Sequence, residues 1–92
     1  MRLRRRSPVG LVTLVTRRGC HACALAEELV PRVARRAGVP YEVRDVDADP
    51  VLVERHGHTV PVVLLDGVEH AHWQVDERRL RAALRGRPVP PV

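Results

Sequence analysis

The sequence predicts a single α/β domain of order βαβαββα, and three observations carry that prediction. Short Val- and Leu-rich runs alternate with longer helical patterns. Helix start and stop residues stand between them, namely Gly38 with Pro40, Asp49-Pro50, and Asp76. Asp66-Gly67 separates two strand-like runs, as in a two-residue hairpin. Strands that alternate with helices pair in parallel through right-handed crossovers, and the hairpin adds an antiparallel edge. The expected sheet is mixed and four-stranded.

Leu11–Thr16 reads as the first strand, followed by the turn Arg17-Arg18-Gly19. A helix follows, with Ala22, Leu25, Ala26, Leu29, Val33 and Ala37 on one apolar stripe. Pro31 removes a backbone donor inside it, so a kink is expected there. Gly38 then Pro40 form its stop. Tyr41–Val46 is the second strand, and Asp49 with Pro50 supplies an N-cap and N1 for a short helix closed by Gly57. Pro61–Leu65 and Val68–Trp73 are the hairpin strands. Trp73, alone at a strand end, is expected to anchor the core. Asp76 caps the last helix, which runs through Leu84, and Val75 and Leu80 fit a hydrophobic staple across its start. The domain is therefore 9–86, with a flexible basic tail over 1–8 and a loose tail over 87–92.

Ninety-two residues allow one domain with a small core. Apolar residues make up 45% of the chain, with no Phe, one Trp and one Tyr, so branched aliphatics must build the sheet. The net charge is +5 and every basic side chain is Arg. Arg2, Arg4, Arg5 and Arg6 form a solvated run. No aromatic platform accompanies the arginines, so specific nucleic-acid reading is not expected. No apolar run is long enough to span a membrane. Val9–Val15 after a basic start runs into Arg17 and Arg18 rather than into a cleavage site, and reads as a strand. Two cysteines three apart cannot staple a fold; without a signal peptide they point to a reducing cytoplasm, and there to chemistry or metal.

Cys20-His21-Ala22-Cys23 stands where the first strand passes into the first helix. Unpaired backbone N–H groups and the positive dipole end favour an anion at that place. The thiolate is the reactive form of cysteine, and helix N-termini favour it. Cys23 lies one turn on, near enough to close a disulfide with Cys20, so the pair makes a reversible two-electron switch. Arg17, Arg18 and His21 add positive charge and are candidate tuners of the thiol's pKa. Thr59-Val60-Pro61 opens the third strand and faces the same sheet edge.

These residues, with Asp45-Val46-Asp47-Ala48-Asp49-Pro50, Thr59-Val60-Pro61-Val62 and Asp66-Gly67, make the chain resemble the glutaredoxin-like branch of the thioredoxin superfamily over roughly residues 10–86. The resemblance implies a thioredoxin-like, three-layer fold with helices on both faces of the sheet. It implies thiol–disulfide exchange with Cys20 as nucleophile and Cys23 as resolving thiol. It also implies a cis bond before Pro61 and a groove for a small thiol or peptide at Thr59, Val60 and Pro61. No tightly bound cofactor is implied; glutathione or another low-molecular-weight thiol would be a co-substrate. The partners would be a disulfide-containing protein or small-thiol disulfide, and a reductase or small thiol as electron donor. Glutaredoxins carry a Gly-Gly turn and acidic residues after the fourth strand; this chain has His72-Trp73-Gln74-Val75-Asp76, with Asp76 the acidic residue available.

Two other readings start from the same residues. A metal module would combine the thiols with histidines, of which His58 is better placed than His56, while His70 and His72 lie along the fourth strand. A non-catalytic binding module would keep the fold and leave the thiols idle. Neither explains both cysteines at a helix start as directly as exchange does, and no metal site is expected.

Overall fold

The structure, a computed structural model, describes residues 6–91. Its elements are β1 (Val12–Thr16), α1 (His21–Ala37), β2 (Tyr41–Asp45), a 3-10 turn (Val46–Ala48), α2 (Pro50–His56), β3 (Val62–Leu65), β4 (Val68–His72) and α3 (Glu77–Leu84). The βαβαββα order is the expected one. The sheet order is β2-β1-β3-β4, with β1 parallel to β2 and antiparallel to β3, and β4 antiparallel to β3.

Alternation along β1 divides the core in two, because successive side chains leave opposite faces of a strand. Val12 and Leu14, with Val63 and Ala71, meet Ala26, Val30, Val33 and Ala34 of α1 and Leu80 and Leu84 of α3. Val15 and Val62 face the other way, against Val46 and Leu52 of α2. The result is three layers, α1 and α3 over one face and α2 over the other. Each fully buried Val or Leu contributes about 1.5–3 kcal/mol of transfer free energy. Arg32 of α1 also pairs with Glu77 of α3 at 2.9 Å, and Glu77 in turn holds Arg81.

Helix ends follow the sequence signals. Cys20, Asp49 and Asp76 each cap a helix with a side-chain acceptor. Gly38 ends α1 in the left-handed conformation at φ 71°. Asp66 and Gly67 sit at φ 51° and 83°, both positive as a tight hairpin of matching twist requires. The Asp66 carboxylate also accepts from the Gly10 and Leu11 N–H groups at 2.9–3.1 Å, tying the turn to the chain before β1.

Three expectations need correction. The buried stripe of α1 is Cys23, Ala26, Val30, Val33 and Ala34, and Leu25 is 56% exposed. Burying Cys23 rotates the inward face away from Leu25. As expected, α1 runs through Pro31 to Ala37. Trp73 is no core anchor: it is 59% exposed, because the backbone turns to φ 64° there and carries the ring outward. The C-terminal segment is not wholly loose, since Arg79 Nε donates to the Pro90 carbonyl at 2.9 Å and Arg87 N–H to Ala82 O at 2.9 Å. Of the basic tail, residues 1–5, with Arg2, Arg4 and Arg5, lie outside the described residues; Ser7 Oγ accepts from Val9 N–H at 3.1 Å.

Candidate active site

β1 delivers the chain to the site, and the turn at Gly19, with φ 75°, starts α1 at Cys20. Cys20 is the N-cap residue: its backbone is extended, and its Sγ accepts the Cys23 N–H at 3.2 Å. A sulfur in this position collects an orphan helix donor and faces the positive end of the dipole. Cys20 is half-buried, whereas Cys23 is 1% exposed, and both are free thiols. Burial pushes the Cys23 thiol up to about 11, and its hydrogen bond with Cys20 adds to the rise; a hydrogen bond to the Arg17 backbone opposes it. The two sulfurs thus have different settings, one at the surface on a helix N-terminus and one protonated beneath it.

Cys20 opens into a cleft of about 640 Å³, lined among others by Arg17, Arg18, His21, Glu27, Val43 and Asp45. All three sequence-predicted tuners therefore border it. Arg18 and His21 are exposed at the rim. Arg17 is different: its guanidinium is engaged with Asp47 and with the Gly57 carbonyl, so it braces the site from the side. That carbonyl is placed by tight packing at the end of α2, where a Cβ on Gly57 would meet the Val53 carbonyl oxygen at 2.5 Å.

Thr59, Val60 and Pro61 do not line this cleft. Pro61 immediately precedes Val62, which pairs with Val15, so the three residues lie at the end of β1 that leads to Cys20. The Val60–Pro61 peptide is cis. Pro61 is buried, and Thr59 is occupied within the fold, its hydroxyl and N–H donating to His56 O and its carbonyl accepting from Trp73 N–H. Among the described residues, the Val60 N–H and C=O enter no hydrogen bond.

Sequence reading gave no site role to Glu27, Val43, Asp45 or Asp47, although Asp45 and Asp47 stand in the run that carries the resemblance. Glu27 was legible in part, since Cys20, Ala24 and Glu27 share one face at helical spacing. Val43 and Asp45 reach the site only because β2 runs parallel beside β1, with Thr16 paired to Asp45. Asp76, the acidic residue after β4, spends its carboxylate on the Arg79 N–H at 3.1 Å as the cap of α3. Among the described residues, no three His, Cys, Asp or Glu side chains gather to hold a metal ion. No described helix is long and apolar enough to cross a membrane.

Comparison with known proteins agrees with this geometry. The family model described as "Glutaredoxin-like domain (DUF836)" matches residues 11–85. Uncharacterized proteins of Mycobacterium tuberculosis and Mycobacterium bovis are each 42% identical over 76 residues, covering 77% of this chain and 78% of theirs. A structural-genomics target protein from X. campestris is 34% identical, covers 84% of this chain and 99% of its own, and superposes with a TM-score of 0.65. Fasciola hepatica thioredoxin, at 20% identity and TM-score 0.60, covers 85% of this chain and 80% of its own and shares the fold. The three-layer fold and the Cys20–Cys23 pair support a redox-type function. The chain belongs to the glutaredoxin-like domain family, and it has the thioredoxin fold.

Proposed function

We propose that the protein is a thiol–disulfide oxidoreductase that works through Cys20 and Cys23. The observation that carries this reading is the asymmetry of the pair: a half-exposed Cys20 sulfur at a helix N-cap, hydrogen-bonded by the N–H of a buried Cys23. The Cys20 thiolate attacks one sulfur of a substrate disulfide. A Cys20–substrate disulfide forms and the other substrate sulfur leaves as a thiolate, taking up a proton. Cys23 then loses its proton and attacks Cys20 Sγ. The Cys20–Cys23 disulfide forms, and the second substrate thiol is released. The protein has given two electrons to the substrate, and an external thiol or reductase returns them.

The surroundings serve these steps. Arg18 and His21 stand at the cleft rim, where a positive charge attracts an anionic sulfur. The open N–H and C=O of Val60 suit an extended substrate, which would pair with them as an added strand. Substrates would be disulfide-bearing proteins or small-thiol disulfides, with a low-molecular-weight thiol as co-substrate, in a reducing compartment such as the cytoplasm.

A titration in thiol/disulfide buffers, read by intact mass after alkylation, tests this reading. The expected result is a reversible two-electron loss at Cys20 and Cys23. Cys20→Ser should abolish exchange, and Cys23→Ser should accumulate the mixed disulfide. Exchange that persists in the Cys20→Ser variant would overturn the assignment.

A further inference from the structure

Trp73 is the chain's sole tryptophan. Its backbone sits at φ 64°, a region bulky residues rarely occupy, yet its ring is 59% exposed. Burial therefore does not offset the strain, and strain of this kind concentrates at functional sites. The residue is also firmly held. Its N–H donates to Thr59 O at 3.0 Å, its Nε1–H donates to His58 O at 3.1 Å, and the His72 ring meets it edge-on at 5.0 Å. An aromatic ring that is rigid before binding loses little freedom on contact, which makes it an effective anchor.

Its place in the sheet sets its distance from the reactive thiol. Trp73 follows His72, which pairs with Val62, and Val62 pairs with Val15. Neighbouring strands lie about 4.8 Å apart, so Trp73 stands roughly 10 Å along the same sheet end from the turn into Cys20. Between them lies Val60 with its open N–H and C=O. Along this sheet end the order is the turn into Cys20, the free backbone pair of Val60, and Trp73.

We infer that Trp73 is a specificity-determining contact for an extended polypeptide disulfide that carries an apolar side chain within about three residues of its half-cystine. This rests on the exchange reaction proposed above. The substrate backbone pairs at Val60, its sulfur meets Cys20, and its apolar side chain covers the exposed indole. A small-thiol disulfide reaches Cys20 and stops short of Trp73.

The test uses two synthetic disulfide peptides that differ only by Leu or Ser at that flanking position, with bis(2-hydroxyethyl) disulfide beside them. The wild-type protein should prefer the Leu peptide by about fivefold in kcat/KM. Trp73→Gly suits the backbone, since glycine accepts positive φ; it should erase that preference, and Trp73→Phe should restore most of it. In Cys23→Ser, trapping the Leu peptide on Cys20 should shift Trp73 fluorescence to the blue, and trapping the small thiol should not. A preference that survives in Trp73→Gly, or an unshifted emission, overturns the role of Trp73 while exchange stands. If Cys23→Ser traps none of the three disulfides, the exchange reading fails and this inference with it.

Discussion

Arg17 grips Asp47 at two points, Nε to Oδ2 and Nη2 to Oδ1, each at 3.0 Å, and its Nη1 reaches the Gly57 carbonyl at 2.7 Å. One side chain therefore links the end of β1 to the 3-10 turn and the end of α2. Two parallel charged hydrogen bonds demand a planar fork, which lysine lacks. The hydrogen bond to Arg17 holds the Asp47 carboxyl below its ordinary value. The contribution is thus present above the usual carboxylate range and lost as pH falls through the lowered value. Asp47→Asn and Arg17→Lys should each lower Tm by roughly a few degrees at neutral pH. The gap between Asp47→Asn and wild type should close in acid, as thermal melts across pH will show.

Alkylation should separate the two thiols. With Cys23 pushed up to about 11, only about one in a thousand copies is thiolate near pH 8. Iodoacetamide should label Cys20 in the native protein and reach Cys23 only after unfolding. Peptide mapping that finds equal native labelling of Cys23 would contradict its buried, protonated setting.

Asp66 both makes the hairpin turn and receives the Gly10 and Leu11 N–H groups. Alanine removes those acceptors and resists a positive φ. Asp66→Ala should cost about 1–2 kcal/mol by denaturant unfolding, and Asp66→Asn, which tolerates the conformation, should cost less.

His70 has a buried Nε2 without a hydrogen-bond partner among the described residues. Burial lowers its pKa, and the nearby Arg79 charge lowers it further. The unfolded chain then binds the proton more tightly than the folded one. Stability is present above about pH 6.5 and declines as pH falls below it. His70→Gln should flatten that decline between neutral and mildly acid pH, and an unchanged slope of Tm against pH would place its origin elsewhere.

What the sequence determined by itself was local. Cys20 as a helix cap, Asp49-Pro50, Asp66-Gly67 and Asp76 are read correctly because each acts through its own backbone and the next few residues. The element order follows, since periodicity and turn chemistry are properties of neighbours. The tertiary structure alone decided the rest. Leu25 faces solvent because the packing of α1 centres on Cys23 and Val30, a rotation that apolar spacing permits but does not impose. Arg17 is a brace because Asp47 and Gly57, thirty and forty residues away, converge on it. Trp73 faces outward because its partners are the carbonyls of His58 and Thr59 on the neighbouring segment. Contacts between residues far apart in the chain depend on strand order and register, which no local pattern encodes.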